Sequence, residues 1–308
     1  MTAVAAIVAP VFALVALGAG ARVWRLLDTA GLRAFTDLTF YLLIPALLFG
    51  AVVRAPAAQG LDVAVTYFAG CLIVFGAGLL LARRALGAGL AQAAVIGLNC
   101  SYGNTVMLGV PIVSAAFGAD GVAELLPIIA LHSVVLLPLA TVLIEADGAG
   151  EGHPALKALR TLPALLRNPV IAAILLAMAW RGLGVPVPEP LARLLALLAA
   201  AAPTLALLTL GASLPDVATH GSVRETGLAV LGKLVVLPVL VWLLARGVGL
   251  APGPTAIAVV AAGMPTGANA FVLARRSGTL AAASAGTVVV STALSVITLS
   301  AALALLRG

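Results

Sequence analysis

Two short stretches carry the residue types from which this chain could build a ligand site. One is Asn99-Cys100-Ser101-Tyr102-Gly103-Asn104-Thr105, running on to Gly109-Val110-Pro111; the other is Gly263-Met264-Pro265, running on to Thr266-Gly267-Ala268-Asn269. Neither holds a nucleophile beside a base, a pair of acids or a metal-ligand spacing, so the chemistry on offer is binding. Asn104 and Asn269 can donate amide hydrogen bonds to a carboxylate without bringing charge of their own. Proline has no N–H and clashes with the preceding turn, so each Gly-x-Pro is expected to interrupt a helix. A half-helix starting at such a break presents free N–H groups and partial positive charge, which favour anions. The candidate binding set is Ser101, Tyr102, Asn104, Gly109, Val110, Pro111, Met264, Pro265, Thr266 and Asn269. The same amides could instead satisfy the backbone freed at the breaks, and both uses can hold together.

Three titratable residues join them as candidates for coupling or charge balance. Lys233 lies about nine residues into an apolar span, where an ammonium is expensive and by default marks a function or a partner, with Asp62 or the substrate as its counter-charge. His132 lies mid-span, and an imidazole titrating near neutrality suits a proton relay; packing as a neutral hydrogen-bonding group is its blander use. Snorkelling to the interface is the blander use of Lys233.

The elements that must position these residues follow from composition. Of 308 residues, 63% are hydrophobic and only 9% charged, with a mean hydropathy of +1.20. A soluble domain carries about 25% charged residues. This chain could not cover its own surface in water, which excludes a soluble enzyme, a nucleic-acid binder and a disordered chain. Unbroken apolar runs of about 20 residues suit helices across a hydrocarbon core, whereas barrel strands would alternate. Ten spans are expected, at roughly 3–20, 34–53, 61–82, 89–117, 122–144, 163–183, 190–213, 225–248, 253–276 and 279–305. The apolar N-terminus has no Lys or Arg before it and reads as the first span, not as a signal peptide.

The net charge of +6 reports orientation. Eleven of the seventeen Lys and Arg fall in the odd-numbered loops, among them Arg22, Arg83, Arg84, Lys157, Arg224 and Arg276. Arg54, Arg181, Arg193, Arg246 and Arg307 fall in the even loops and termini. The odd loops should be cytoplasmic and both termini outside. Cys71 and Cys100 sit in apolar runs and suggest neither a disulfide nor a metal site.

The two Gly-x-Pro units recur at half the chain length, and each is followed by a Gly-containing turn: Phe117-Gly118-Ala119-Asp120 and Arg276-Ser277-Gly278-Thr279. Two copies of a five-span unit account for this. Five is odd, so the second copy inserts upside down, as in many secondary transporters. The expected fold is an all-α polytopic membrane protein of two inverted five-helix repeats, 1–148 and 163–308, joined by a cytoplasmic loop at 149–162, with helices 4 and 9 broken and crossing at their prolines.

Asn104-Thr-Val-Met-Leu-Gly-Val-Pro111-Ile, followed by Phe117-Gly-x-x-Gly121, resembles the fourth-span signature of the auxin efflux carrier family, which includes plant PIN-FORMED exporters and bacterial malate and malonate permeases. Similar matches follow in order: Tyr41-Leu-Leu-Ile-Pro45, Arg167-Asn168-Pro169, Leu210-Gly211-Ala-Ser213, Lys233-Leu-Val-Val-Leu-Pro238, and Met264-Pro265 leading to Asn269. The resemblance implies ten spans, an inverted repeat, a scaffold domain beside a transport domain, elevator-like movement, and a substrate carboxylate bound where the fourth and ninth spans cross. Carried over, Asn104 and Pro111 sit at one half of that crossing, Pro265 and Asn269 at the other. The short central loop lacks the regulatory insert of the plant members and points to a bacterial-type protein of the cytoplasmic (inner) membrane.

The expected activity is secondary transport of a small organic anion, a mono- or dicarboxylate, with no cofactor and no enzyme chemistry. No Walker loop or HExxH motif is present. A sodium-coupled organic-anion symporter of bile-acid-carrier-like architecture is the main alternative; a lipid-acting membrane enzyme and a channel or receptor are alternatives of other classes. The expected partners are the anion and the bilayer, not nucleic acid, and dimerising family members leave a homodimer open.

Overall fold

A computed structural model of the chain describes residues 2–54, 60–147, 168–216 and 222–307. Among them the regular elements are helices: α1 (Thr2–Val23), α2 (Thr29–Leu38), α3 (Ile44–Arg54), α4 (Leu61–Ala85), α5 (Leu90–Ser101), α6 (Val110–Asp147), α7 (Pro169–Gly182), α8 (Glu189–Ser213), α9 (Val223–Leu231), α10 (Leu237–Gly247), α11 (Pro252–Ala262), α12 (Ala268–Arg276) and α13 (Ala281–Arg307). The expected connecting loop at 149–162, with Lys157, Arg160 and Arg167, lies outside the described residues, as does the expected start of the sixth span at 163.

Among the described residues, three π turns interrupt the α geometry. Thr39–Leu43 joins α2 to α3, Thr105–Gly109 leads into α6, and Gly232–Val236 joins α9 to α10. Each ends two residues before a proline, at Pro45, Pro111 and Pro238 respectively. A proline offers no N–H to the i−4 carbonyl and its ring collides with that carbonyl. A widened turn just before it re-registers the ladder, as where the Gly109 N–H reaches back five residues to the Asn104 carbonyl at 3.0 Å. These helices therefore run through their prolines.

That corrects one expectation. Gly109-Val110-Pro111 does not break the fourth span; Pro111 is buried inside helix. The chain leaves helical geometry earlier, at Tyr102–Asn104, where Tyr102 is extended (φ −77°, ψ 111°). The second break falls where expected, between Ala262 and Ala268, and contains Pro265.

Among the described residues, seven helical runs are long and apolar enough to cross a membrane, and Leu90–Ser101, Pro169–Gly182 and Pro252–Ala262 are shorter apolar helices. The longest run, Thr105–Asp147, has 43 residues, about 65 Å at helical rise, twice the roughly 30 Å hydrocarbon core. Gly118 bends it, with φ 68° and ψ −157° inside the expected turn.

The helices pack in two groups that draw on both halves of the chain. α1, α2 and α3 pack on α8, and α3 packs on α7. α4 packs on α5, α6, α10 and α11, α6 packs on α5, and α13 packs on α9 and α12. In the first group α1 and α8 approach through small residues: a Cβ on Gly211 would collide with the Val15 carbonyl, and one on Gly18 with the Leu208 carbonyl. Such close backbone approach substitutes van der Waals contact for the hydrophobic drive that lipid does not supply.

Candidate functional site

The two breaks meet. The Asn104 N–H donates to the Pro265 carbonyl at 2.8 Å, and the Gly267 N–H donates to the Tyr102 carbonyl at 3.0 Å. Together they form one antiparallel bridge between Gly103 and Thr266. Backbone freed from helix in an apolar interior must find partners, and here each break supplies the other's. Gly267 permits the approach, since a Cβ there would lie 2.8 Å from the Tyr102 ring and 2.9 Å from the Gly103 carbonyl.

Side chains complete the bracing. The Thr266 N–H donates to Ser291 Oγ at 3.0 Å, and Thr266 Oγ1 donates to the Asn99 carbonyl at 2.9 Å. Ser284 Oγ donates to Asn99 Oδ1 at 2.8 Å. The Gly103 N–H donates to His132 Nε2 at 3.0 Å. A nitrogen that accepts carries no proton, so the imidazole is neutral here with its N–H on Nδ1, 3.4 Å from the Tyr67 hydroxyl. Lys233 Nζ donates to the Ala262 carbonyl, the last residue of α11.

Beside the crossing lies a cavity of about 310 Å³, between the two helix groups. Its walls include Thr36, Phe40, Asn168, Thr209 and Ser213 from one group and Tyr102, Asn104, His132, Ser133 and Asn269 from the other. Among the described residues, no Asp, Glu, Lys or Arg lines it. Three helix N-termini open onto it: Asn104–Met107 leading into α6, Asn168–Ile171 starting α7, and Gly267–Asn269 starting α12. Asn104 Oδ1 caps the Met107 N–H at 3.2 Å, and Asn168 Oδ1 caps the Val170 N–H at 2.9 Å. With each oxygen so engaged, the amide nitrogens are what these side chains have left for a ligand. Asn269 Nδ2 donates to the Tyr102 hydroxyl at 3.0 Å, which lies 2.7 Å from Ser133 Oγ. Each N-terminus carries roughly half a positive charge. Thr36, Thr209 and Ser213 donate their hydroxyl protons to carbonyls of their own helices, so they present acceptor lone pairs.

Of the residues singled out from sequence, Tyr102, Asn104, His132 and Asn269 line the cavity. Ser101, Met264, Pro265 and Thr266 are buried behind the crossing, and Gly109, Val110 and Pro111 are buried further along the helix, away from the cavity wall. Lys233 is buried, whereas Asp62 is exposed at the start of α4 with Oδ1 accepting from the Val63 N–H. The suggested Lys233–Asp62 pair does not form, because the two lie in different surroundings. Sequence reasoning missed Asn168 as a site residue, although Asn followed by Pro is a helix-start signature. It also missed Thr36, Ser133, Thr209 and Ser213.

Comparison with known proteins gives one family and one relative. The family model described as membrane transport protein matches residues 3–303. A protein of Rhizobium meliloti (strain 1021) named "Putative malonate transporter" is 31% identical over 318 residues, spanning 100% of this chain and 97% of the relative.

Proposed function

The chain belongs to the membrane transport protein family, auxin efflux carrier-like along its length, and we propose that it carries a small mono- or dicarboxylate across the cytoplasmic (inner) membrane. It is a transporter and not an enzyme. The observation that carries the substrate class is the convergence of three helix N-termini, two of them capped by asparagines, on one cavity that no charged side chain lines among the described residues. Backbone N–H groups and amide donors in a low-dielectric pocket suit a carboxylate. The relative's name suggests malonate as the first acid to try.

The cavity's position supports elevator-like movement. It lies where the group holding both breaks faces the group holding α1, α3, α7 and α8. Sliding the first past the second would carry the bound acid with the crossing while its other wall stays behind. Ten crossings follow if α5 and the stretch up to Gly118 form one span, the rest of α6 the next, α7 another, and α11 with α12 the ninth. The odd-loop excess of Lys and Arg supports termini outside. A homodimer is carried over from the family resemblance alone.

The test is thermal stability of the purified protein against a panel of small acids. An acid at 100 times its Kd should add about 2.7 kcal/mol to the wild type, and much less to Asn104→Ala and Asn168→Ala at the same concentration. An acid that stabilises all three equally places binding elsewhere. No shift with any acid would overturn the carboxylate reading and bring cations or neutral solutes forward.

A further inference from the structure

We propose that the Lys233 ammonium is a tethered cation of the crossing, occupying the place of a diffusible metal cation, so that the protein works without sodium. The proposal goes beyond the anion reading, because it concerns the side of the crossing that the substrate cavity does not reach.

Lys233 is 0% exposed. An ammonium has three N–H donors and is strongly hydrated in water, so its burial must be compensated. Among the described residues no carboxylate provides that compensation; the partner is the Ala262 carbonyl. Ala262 ends α11, and the last carbonyls of a helix have no intrahelical donor and carry partial negative charge. In transporters built on broken helices, such C-terminal carbonyls and the unwound backbone coordinate the coupling cation. The other break passes beside the same ammonium: a Cβ built on Gly103 would lie 3.4 Å from Lys233 Nζ and 3.6 Å from the Tyr67 hydroxyl. The ammonium therefore stands against both breaks at once, behind the bridge that joins them. It is held there from the π turn Gly232–Val236, whose widened geometry precedes Pro238. Lys233 does not line the cavity, so it acts as a positioning residue and not as a ligand of the acid.

The test needs no substrate. Thermal stability of wild type, Lys233→Ala and Lys233→Met is measured without any acid, in choline, sodium and ethylammonium chloride at equal ionic strength. The wild type should melt at the same temperature in all three. Lys233→Ala should melt lower in choline by about 5 °C or more and regain at least half of that loss with sodium or ethylammonium, which can enter the vacated space. Lys233→Met fills the space without charge and should regain nothing. The proposal is overturned if Lys233→Ala is as stable as wild type in choline, if its loss is the same in all three salts, or if sodium stabilises the wild type over choline. Should Lys233→Ala not fold, wild-type malonate uptake into proteoliposomes decides: equal rates in sodium and choline support the tethered cation, and a fivefold or greater requirement for sodium overturns it. Because the stability arm contains no acid, its failure leaves the anion reading untouched; where Lys233→Ala does not fold and malonate is not taken up, the wild-type melting temperature decides, equal values in sodium and choline supporting the tethered cation and a higher value in sodium overturning it.

Discussion

Asn168 and Asn104 each serve the fold with one end of the side chain and face the cavity with the other. That division can be tested at Asn168. Asp caps a helix about as well as Asn, so Asn168→Asp should change stability by no more than about 0.5 kcal/mol. It replaces the amide donor with a carboxylate facing an anion, so acid affinity should fall at least about tenfold, or 1.4 kcal/mol. Equal affinity in titrations of both proteins would make Asn168 a cap and nothing more. Gly267 tests the crossing. Gly267→Ala forces a methyl group against the Tyr102 ring and the Gly103 carbonyl, which should cost about 1–3 kcal/mol in thermal or denaturant unfolding. Gly253→Ala, with open space around it, is the neutral control. At this scale the sequence was only partly legible. Asn104 and Asn269 stood out because amides are expensive in an apolar span. Thr209 and Thr36 did not, because a hydroxyl that returns its proton to the i−4 carbonyl is ordinary in a membrane helix and carries no sign of what it faces.

Breaks in the helices were legible as a tendency and misplaced in one instance, for a reason specific to proline. Pro265 and Pro111 look alike in sequence, each preceded by Gly and one more residue. Around Pro265 the chain leaves helical geometry; before Pro111 a π turn absorbs the missing N–H, and the break moves up to the polar residues Tyr102–Asn104. What decides between them is the partner strand of backbone, since Asn104 can leave the helix only because Pro265 offers a carbonyl. A partner distant in sequence is not visible in a local motif. The α1–α8 contact gives a prediction at the same scale. Gly18→Leu pushes a side chain into the Leu208 carbonyl and should cost about 1–3 kcal/mol of stability. Gly18 is not on the cavity wall, so the Kd for the stabilising acid should stay within about threefold of wild type. A much larger loss of affinity would mean that the α1–α8 contact sets the shape of the cavity.

The molecule as a whole is read most sharply through the two turns that echo each other, Phe117–Asp120 and Arg276–Thr279. If the halves are inverted copies, equivalent turns must face opposite sides of the membrane. If Thr105–Asp147 were a single crossing, Asp120 would lie within the bilayer. Cys71 and Cys100 are both buried, so a single introduced cysteine can be read with an impermeant maleimide over a quiet background. Asp120 is exposed at the bend beside Gly118, and Ser277 caps the end of α12. Asp120→Cys should react in intact cells. Ser277→Cys should react only once the cytoplasmic face is opened, because the excess of Lys and Arg in the odd loops, Arg275 and Arg276 next to it included, predicts that this turn lies inside. The exchanged pattern would keep the inverted repeat and reverse the orientation. Reaction of both from one side would remove the inversion itself. A silent Asp120→Cys would make the 43-residue run one tilted crossing and leave the second half without its mirrored partner.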